Sequence, residues 1–309
     1  MPLISVVIPA YNAEKTILET IASVEQQTFQ DWEIIVIDDG STDATLAKIN
    51  QLQHESQDQR LQVFSYPNGG VAVARDRGIM HARGEYIAFL DADDCWTKDK
   101  LEKQLAALQA FPEAGVAYSW TSYFQDEAEI KIYPGDPVYY TGDVYQQLLL
   151  GNFLASGSNP LIKKAAIDSV EGFDSACVPC EDWDFYLQLA AKWNFVLVPQ
   201  HQIIYRLTAN SGSSKLQAVE KAGIATINKA YQGTSSQLQG LKKHSLAWFY
   251  QYCTQQHLQH TPGMQGLQQA GNRLWQAIRL HPPILFHKYT STLLAWWFKK
   301  WLRTQFSSI

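Results

Sequence analysis

Gly84-Glu85-Tyr86-Ile87-Ala88-Phe89-Leu90-Asp91-Ala92-Asp93-Asp94 is the stretch on which the fold turns. Glu85–Leu90 reads as a short buried strand, and carboxylates crowd the residues directly after it. In open α/β sheets, ligands gather outside the carboxyl ends of the strands, near the point where strand order reverses. A carboxylate at such an end stands on a loop rim rather than in the core. Upstream, Ile4–Pro9, Glu33–Ile37 and Leu61–Ser65 read as strands, with helices over Glu14–Gln27, Thr42–Gln53 and Val71–Ala82. Downstream come a helix over Lys98–Ala110 and a fifth strand, Gly115–Trp120. β-branched runs alternating with helical patterns predict βαβ units, right-handed crossovers and a mainly parallel sheet.

Between Tyr123 and Tyr140 the pattern weakens, and Pro134-Gly135 and Asp136-Pro137 mark turns. Helical patterns return at Gly142–Leu150, Lys163–Ser169 and Glu181–Trp193, followed by strand-like Phe195–Val198 and Ile203–Leu207. Ser211-Gly212-Ser213-Ser214 reads as a linker, so the expected division is an α/β domain over 1–214 and a helical extension over 215–309.

Charge separates the same two parts. Residues 1–214 carry 14 Lys and Arg against 29 Asp and Glu, while residues 215–309 carry 11 against 1. A basic end suits an anionic surface. Its cations form no long run, so membrane phosphate fits better than nucleic acid, and no nucleic-acid partner is expected. Over 284–305, Phe286, Tyr289, Leu293, Trp297 and Trp301 trace one helical stripe, and Lys288, Thr292, Ala295, Lys299 and Arg303 another. Such a helix either lies in a membrane interface or packs on the protein's own core. Pro282-Pro283 should interrupt any continuous helix before it.

Of the four cysteines, only Cys177 and Cys180 have suggestive spacing, and they lack a second pair to complete a zinc site. Free thiols in a reducing compartment are expected. No basic n-region precedes the first strand, and no run reaches the ~20 apolar residues of a membrane span. These features predict a cytoplasmic location, peripheral on the inner face of the membrane if the basic helix docks there.

The acidic clusters have two readings. Asp39 or Ser41 would cap a helix starting at Thr42, and Asp43 suits its first turn. Alternatively Asp38-Asp39-Gly40-Ser41-Thr42-Asp43, at the end of the second strand, faces a pocket shared with Asp91 and Asp93. The latter pair are hard oxygen ligands for Mg²⁺ or Mn²⁺.

The order of motifs resembles family 2 glycosyltransferases over roughly residues 3–210. Ser5-Val6-Val7-Ile8-Pro9-Ala10-Tyr11-Asn12 looks like that family's opening strand and nucleotide-facing loop, and Asp38–Asp43 like its second-strand motif. Asn68-Gly69-Gly70 with Ala74-Arg75-Asp76-Arg77-Gly78 resembles its third motif, and Gly84–Asp94 its metal-site strand. Gly172-Phe173-Asp174 and Glu181-Asp182-Trp183-Asp184 match its acceptor-side turn and ED motif.

The resemblance implies a GT-A fold, a Rossmann-like mixed sheet flanked by helices, with a helical C-terminal extension. It implies an inverting transferase that moves a sugar from a nucleotide-diphosphate donor, UDP by family habit rather than GDP or dTDP, to a hydroxyl of a glycan or lipid-linked acceptor. Asp93 would ligate the metal, and Asp91 would meet the ribose, or the metal through water, with Ala92 beside it on the nucleotide-sugar side. Asp39 would accept from uracil N3–H, Pro9, Tyr11 and Glu14 would line the nucleotide, and Arg75 would approach the diphosphate. Asp182 would be the general base, with Glu181 and Asp184 as alternatives.

Two departures stand out. Thr208 replaces a His that often follows Tyr-Arg-x, and Asp76 stands where Asn is frequent. The competing classes are a catalytically silent binding module on the same fold and a two-carboxylate glycoside hydrolase. A nucleotidyltransferase is disfavoured because no G-x-x-x-x-G-K-[ST] loop occurs.

Overall fold

β1 (Ile4–Ala10) and β2 (Trp32–Asp38) are buried along their whole length, as strands covered by helices on both faces must be. The computed structural model describes residues 1–126, 130–207, 216–232 and 234–306. β3 (Leu61–Ser65) and β4 (Tyr86–Phe89) flank this pair, and all four run parallel in the order β3-β2-β1-β4. Helices α1 (Ile17–Glu25), α2 (Thr45–Ser56) and α3 (Val71–His81) connect them. β1 leads outward to β2 and β3, and the chain then returns to place β4 on its other side. The strand order therefore reverses at β1, and in open α/β sheets ligands bind outside the carboxyl ends of the strands at such a switch point.

α3 crosses β1 closely. A Cβ at Gly78 would stand 2.1 Å from Val7 Cγ1. Gly78→Ala is therefore expected to destabilise by about 1–3 kcal/mol through overpacking, despite alanine's better helix propensity. Urea unfolding checks this, and an unchanged or higher midpoint would refute it.

Beyond β4 the sheet is less parallel than the sequence predicts. After the short β5 (Cys95–Trp96) and α4 (Lys100–Ala110), the chain forms β6 (Ala114–Asp126). β6 does not join β4: β8 (Leu161–Lys163) is wedged between them, antiparallel to both. β7 (Ile130–Pro134) folds back on β6 as a hairpin in the region where the sequence signal fades. The expected strands at 195–198 and 203–207 are one strand, β9 (Asn194–Leu207), parallel to β6. Pro199 sits within this strand at an irregularity where Tyr118↔Leu197 pairing jumps to Trp120↔His201. A residue without an N–H is tolerated at such a bulge. Three expected helices are shorter than their patterns: α5 (Tyr145–Leu150), α6 (Lys164–Ile167) and α7 (Glu181–Ala190).

The chain divides into two compact units, Met1–Tyr145 with Phe153–Thr208, and Gln146–Asn152 with Ala209–Ile309. The expected linker at 211–214 lies outside the described residues. The second unit holds α8 (Leu216–Ala230), α9 (Ser236–Gln239), α10 (Lys242–His260), α11 (Gly263–Leu280) and α12 (Lys288–Phe306). Pro282 and Pro283 open a 3-10 turn between α11 and α12, as expected. Tyr289, Leu293, Trp297 and Trp301 pack with Leu258, Leu267, Ala270 and Leu274 of α10 and α11. That stripe is thus core, and Phe286, aligned with it in sequence, lies outside the cluster at 92% exposure. No helix among the described residues is long and apolar enough to cross a membrane.

Candidate active site

The three aspartates after β4 differ in what surrounds them. Asp94 is buried. Its carboxylate accepts from Ser158 Oγ at 2.6 Å, Ser156 Oγ at 3.3 Å and the Arg206 backbone N–H at 3.0 Å. Burial, then the charges of Asp93 and Asp91, push its pKa well up. Asp91 places one oxygen 2.7 Å from Arg75. The Ala92 carbonyl accepts from Thr16 Oγ1 at 2.8 Å, tying the turn to the start of α1. Asp94 thus serves structure, which leaves Asp91 and Asp93 as the candidate ligand-binding acids of this turn.

The Asp93 carboxylate has no side-chain or cationic hydrogen-bond donor among the described residues, and burial, then Asp91, push its pKa up to about 6. Two neighbouring carboxylates, one with no side-chain donor among the described residues, are what a hard divalent cation satisfies, and the cation's charge would reverse the shift. The residues fit Mg²⁺ or Mn²⁺.

Arg75 links this turn to α7. It is buried, with one terminal nitrogen 2.7 Å from Asp91 and the other 2.7 Å from Glu181. Burial alone would lower its pKa, but Asp91 and Glu181 overcome this and hold it raised. A Cβ at Gly157 would meet its guanidinium at 2.5 Å, so glycine gives the side chain its room. Lysine keeps the charge but cannot fork between two carboxylates. Arg75→Lys should therefore cost about 1.5–3 kcal/mol, one charge-assisted hydrogen bond. Chemical denaturation measures it, and wild-type stability would show that the bridge is dispensable.

Next to Glu181, Asp182 opens α7, where the helix dipole favours anions. It accepts from the Trp183 N–H at 2.7 Å and remains partly exposed. Burial, then Glu181, push its pKa up to about 7, with Arg75 opposing. Asp184 is buried and accepts from Gln188 at 2.8 Å, so it is turned away from a catalytic task. Asp174, Cys177 and Asp184 form a separate group whose ligand-type atoms lie within 4.8 Å of one another. All four cysteines are buried.

On the β1–β2 side, Asp39 is not a helix cap. It accepts from the Gly69 and Gly70 N–H groups at 2.9 and 2.7 Å and from Arg77 at 2.9 Å. A carboxylate offers about four acceptor positions, so one stays open for a further donor. Ser41 does not cap the helix either, since α2 begins only at Thr45 and Ser41 Oγ accepts from the Asn12 N–H at 3.0 Å. The start of α2 is instead held by Glu14, which accepts from the Ala44 N–H at 3.0 Å, and by Asp43, which accepts from the Thr45 N–H at 2.9 Å. Pro9 is buried in β1, whereas Tyr11, just beyond it, is 54% exposed. Asp76 accepts from the Phe173 N–H at 3.2 Å, a bond that an asparagine oxygen makes equally well. Thr208 lies outside the described residues.

Sequence reading missed Ser158 and Arg206. Ser158 follows Gly157 in an unpatterned loop, and nothing local marks it. Arg206 donates to the Asp93 carbonyl at 3.0 Å and pairs with Glu19 at 2.5 Å, bracing the acidic turn from β9. In the sequence it is marked only by the Tyr205-Arg206 pair that precedes Leu207 and Thr208.

The profile of glycosyl transferase family 2 matches residues 5–170. This chain belongs to that family. It is 31% identical over 215 residues to the amylovoran biosynthesis glycosyltransferase AmsB of Erwinia amylovora, covering 68% of this chain and 71% of AmsB. It is 46% identical over 123 residues to the putative teichuronic acid biosynthesis glycosyltransferase TuaG of Bacillus subtilis, covering 40% of this chain and 47% of TuaG. A third relative is the Escherichia coli UDP-Glc:alpha-D-GlcNAc-diphosphoundecaprenol beta-1,3-glucosyltransferase WfgD, 41% identical over 107 residues, 34% of this chain and 41% of WfgD. The chain thus spans less than half the length of TuaG and WfgD.

Among solved structures, S. aureus TarS 1-349 in complex with UDP-GlcNAc superposes with a TM-score of 0.66 at 19% identity, over 91% of this chain and 81% of that one. The mannosyltransferase PcManGT from Pyrobaculum calidifontis, in complex with GDP-Man and Mn2+, gives 0.63 at 17%, over 100% and 88%. The family 2 chain has the GT-A fold that these neighbours share.

Proposed function

We propose that this chain is an inverting, metal-assisted glycosyltransferase that moves a sugar from a nucleotide-diphosphate donor to a hydroxyl of a glycan or lipid-linked acceptor. The observation that carries this is the link Asp91–Arg75–Glu181 between the acidic turn after β4 and the start of α7. It ties the loop suited to a metal diphosphate to the loop bearing a partly exposed carboxylate with a pKa near neutral.

The acceptor oxygen forms a bond to the anomeric carbon, and its proton passes to the Asp182 carboxylate. The bond from that carbon to the diphosphate oxygen breaks, and its electron pair leaves on the nucleotide. Asp93, with Asp91 nearby, would hold a divalent ion, which would supply Lewis-acid charge to the departing diphosphate. Asp39, with its open acceptor position, receives the uracil N3–H, while Pro9, Tyr11 and Glu14 shape the nucleotide side. Arg75 holds Asp91 and Glu181 and adds positive potential for the diphosphate. Asp182 is preferred as the base because Glu181 is committed to Arg75 and Asp184 is buried.

UDP is the preferred nucleotide, in line with the UDP-GlcNAc bound in the TarS complex and the UDP-Glc in WfgD's name. A diphosphoundecaprenol acceptor, as in WfgD's name, would place the enzyme peripherally on the cytoplasmic face of a membrane, in contact through residues 284–305. A screen of UDP-, GDP- and dTDP-sugars for turnover or binding, with Mg²⁺, Mn²⁺ or chelator, tests the reading. Failure of every nucleotide sugar to bind would reject it.

A further inference from the structure

α12 packs one face against its neighbours and leaves large apolar side chains exposed on the other. Its inner face packs with α10 and α11, and two polar contacts lock it there. Trp297 Nε1 donates to the Leu267 carbonyl at 2.8 Å, and Lys300 Nζ donates to the Leu258 carbonyl at 2.6 Å near the end of α10. The stripe most resembling a membrane face in sequence is therefore sequestered.

The outer face repeats the amphipathic pattern. Leu294 and Phe298, one helical turn apart, are 42% and 54% exposed, and Phe286 in the turn before α12 is 92% exposed. Phe298 stacks on Trp301 at 5.8 Å, which holds its ring at the helix surface. Beside this apolar row runs an exposed polar row, Lys288, Thr292, Lys299 and Arg303, at helical spacings of four and seven. Large apolar groups left in water beside cations mark an interaction surface. Charge identifies the partner. Residues 215–309 contain one acidic residue against 11 basic ones, and that residue, Glu220, is paired with Arg273. A partner that meets this surface must bring negative charge over a broad area and accept bulky apolar side chains at shallow depth. An anionic phospholipid surface does both.

We infer that the outer face of α12, with Phe286, Leu294 and Phe298 inserted and Lys288, Lys299 and Arg303 at the headgroups, docks this chain on an anionic bilayer. The inference builds on the membrane-side reading of the acceptor above, but its readout is binding alone. α12 lies on such a surface rather than across it, since the cations flanking its apolar row cannot enter the hydrocarbon.

Full-length protein is sedimented with vesicles of phosphatidylcholine alone and with vesicles that also contain phosphatidylglycerol. Binding is expected only with the anionic lipid, and salt should weaken it. The Lys288→Glu, Lys299→Glu double variant should lose more than tenfold, given about fivefold for each neutralised cation. Phe286→Ser with Phe298→Ser should also weaken binding at least tenfold, while both variants keep the wild-type circular dichroism spectrum and melting temperature. No binding, equal binding to both vesicle types, or unchanged binding by the folded variants would overturn the inference. So would a protein that ignores vesicles and self-associates through Phe286 and Phe298. Vesicle binding without nucleotide-sugar turnover would keep this surface and reject the transferase reading.

Discussion

Asp182→Asn is expected to lower sugar transfer by about 10²–10⁴-fold, the usual contribution of a general base, while donor binding stays near wild type. The amide keeps the shape and the bond from the Trp183 N–H, and asparagine serves a helix N-terminus about as well as aspartate. A lost cap therefore cannot account for a large rate effect. The pH profile separates the roles further. The Asp182 pKa is raised to about 7 by burial and by Glu181, and the base works only when ionised. Log kcat/KM should therefore climb with pH below about 7 and level off above it. An unshifted carboxylate, ionising near 4, would already be level by about pH 5. In Asp182→Asn the residual rate should lose this rise. Transfer is assayed with acceptor and UDP-sugar, and donor binding by calorimetry. Near-normal turnover by the variant would move the base elsewhere, and a profile already level at about pH 5 would remove the elevated pKa from the mechanism.

Asp93→Ala should abolish the metal dependence of nucleotide-diphosphate binding and reduce transfer on the order of 10²-fold or more, since Lewis-acid stabilisation is worth several kcal/mol. Its carboxylate has no side-chain donor among the described residues, so the substitution costs the fold only the bond to its own backbone N–H. It also relieves the repulsion that helps raise Asp94, and a small rise in melting temperature is expected without metal. Asp94→Ala should behave in the opposite way. It would take away the acceptor to which the Ser158 and Ser156 hydroxyls and the Arg206 backbone N–H donate, so it should lower stability first. Calorimetry with UDP in Mn²⁺ and in chelator, beside thermal melts of both variants, checks the pair. Equal UDP affinity with and without metal in the wild type would defeat the metal assignment outright.

The four-strand parallel core was legible because its strands are short apolar runs and, apart from the edge strand β3, buried on both faces, so period and length agree. The half beyond residue 120 was not. β6, β8 and β9 pair over long sequence distances, and a strand as short as Leu161–Lys163 has no period of its own to reveal. Within the site, the carboxylates were visible as a type at strand ends, but their division of labour was not. Asp91, Asp93 and Asp94 are one cluster on paper. A serine loop near residue 158 and an arginine on β9 make Asp94 structural, and Arg75 engages Asp91.

What the sequence by itself determined is the set of strand-end acids, the family they belong to, and the charge contrast between the two parts of the chain. These depend on residue type and local period alone. Only the tertiary structure decided which stripe of α12 is core and which is open. It also showed that Asp39 serves the Asn68–Gly70 loop rather than α2, and that Arg75 spans two carboxylates. The reason is physical. A helical stripe or a carboxylate declares what it can bond to, but partners distant in sequence compete for it, and burial decides which of them it meets.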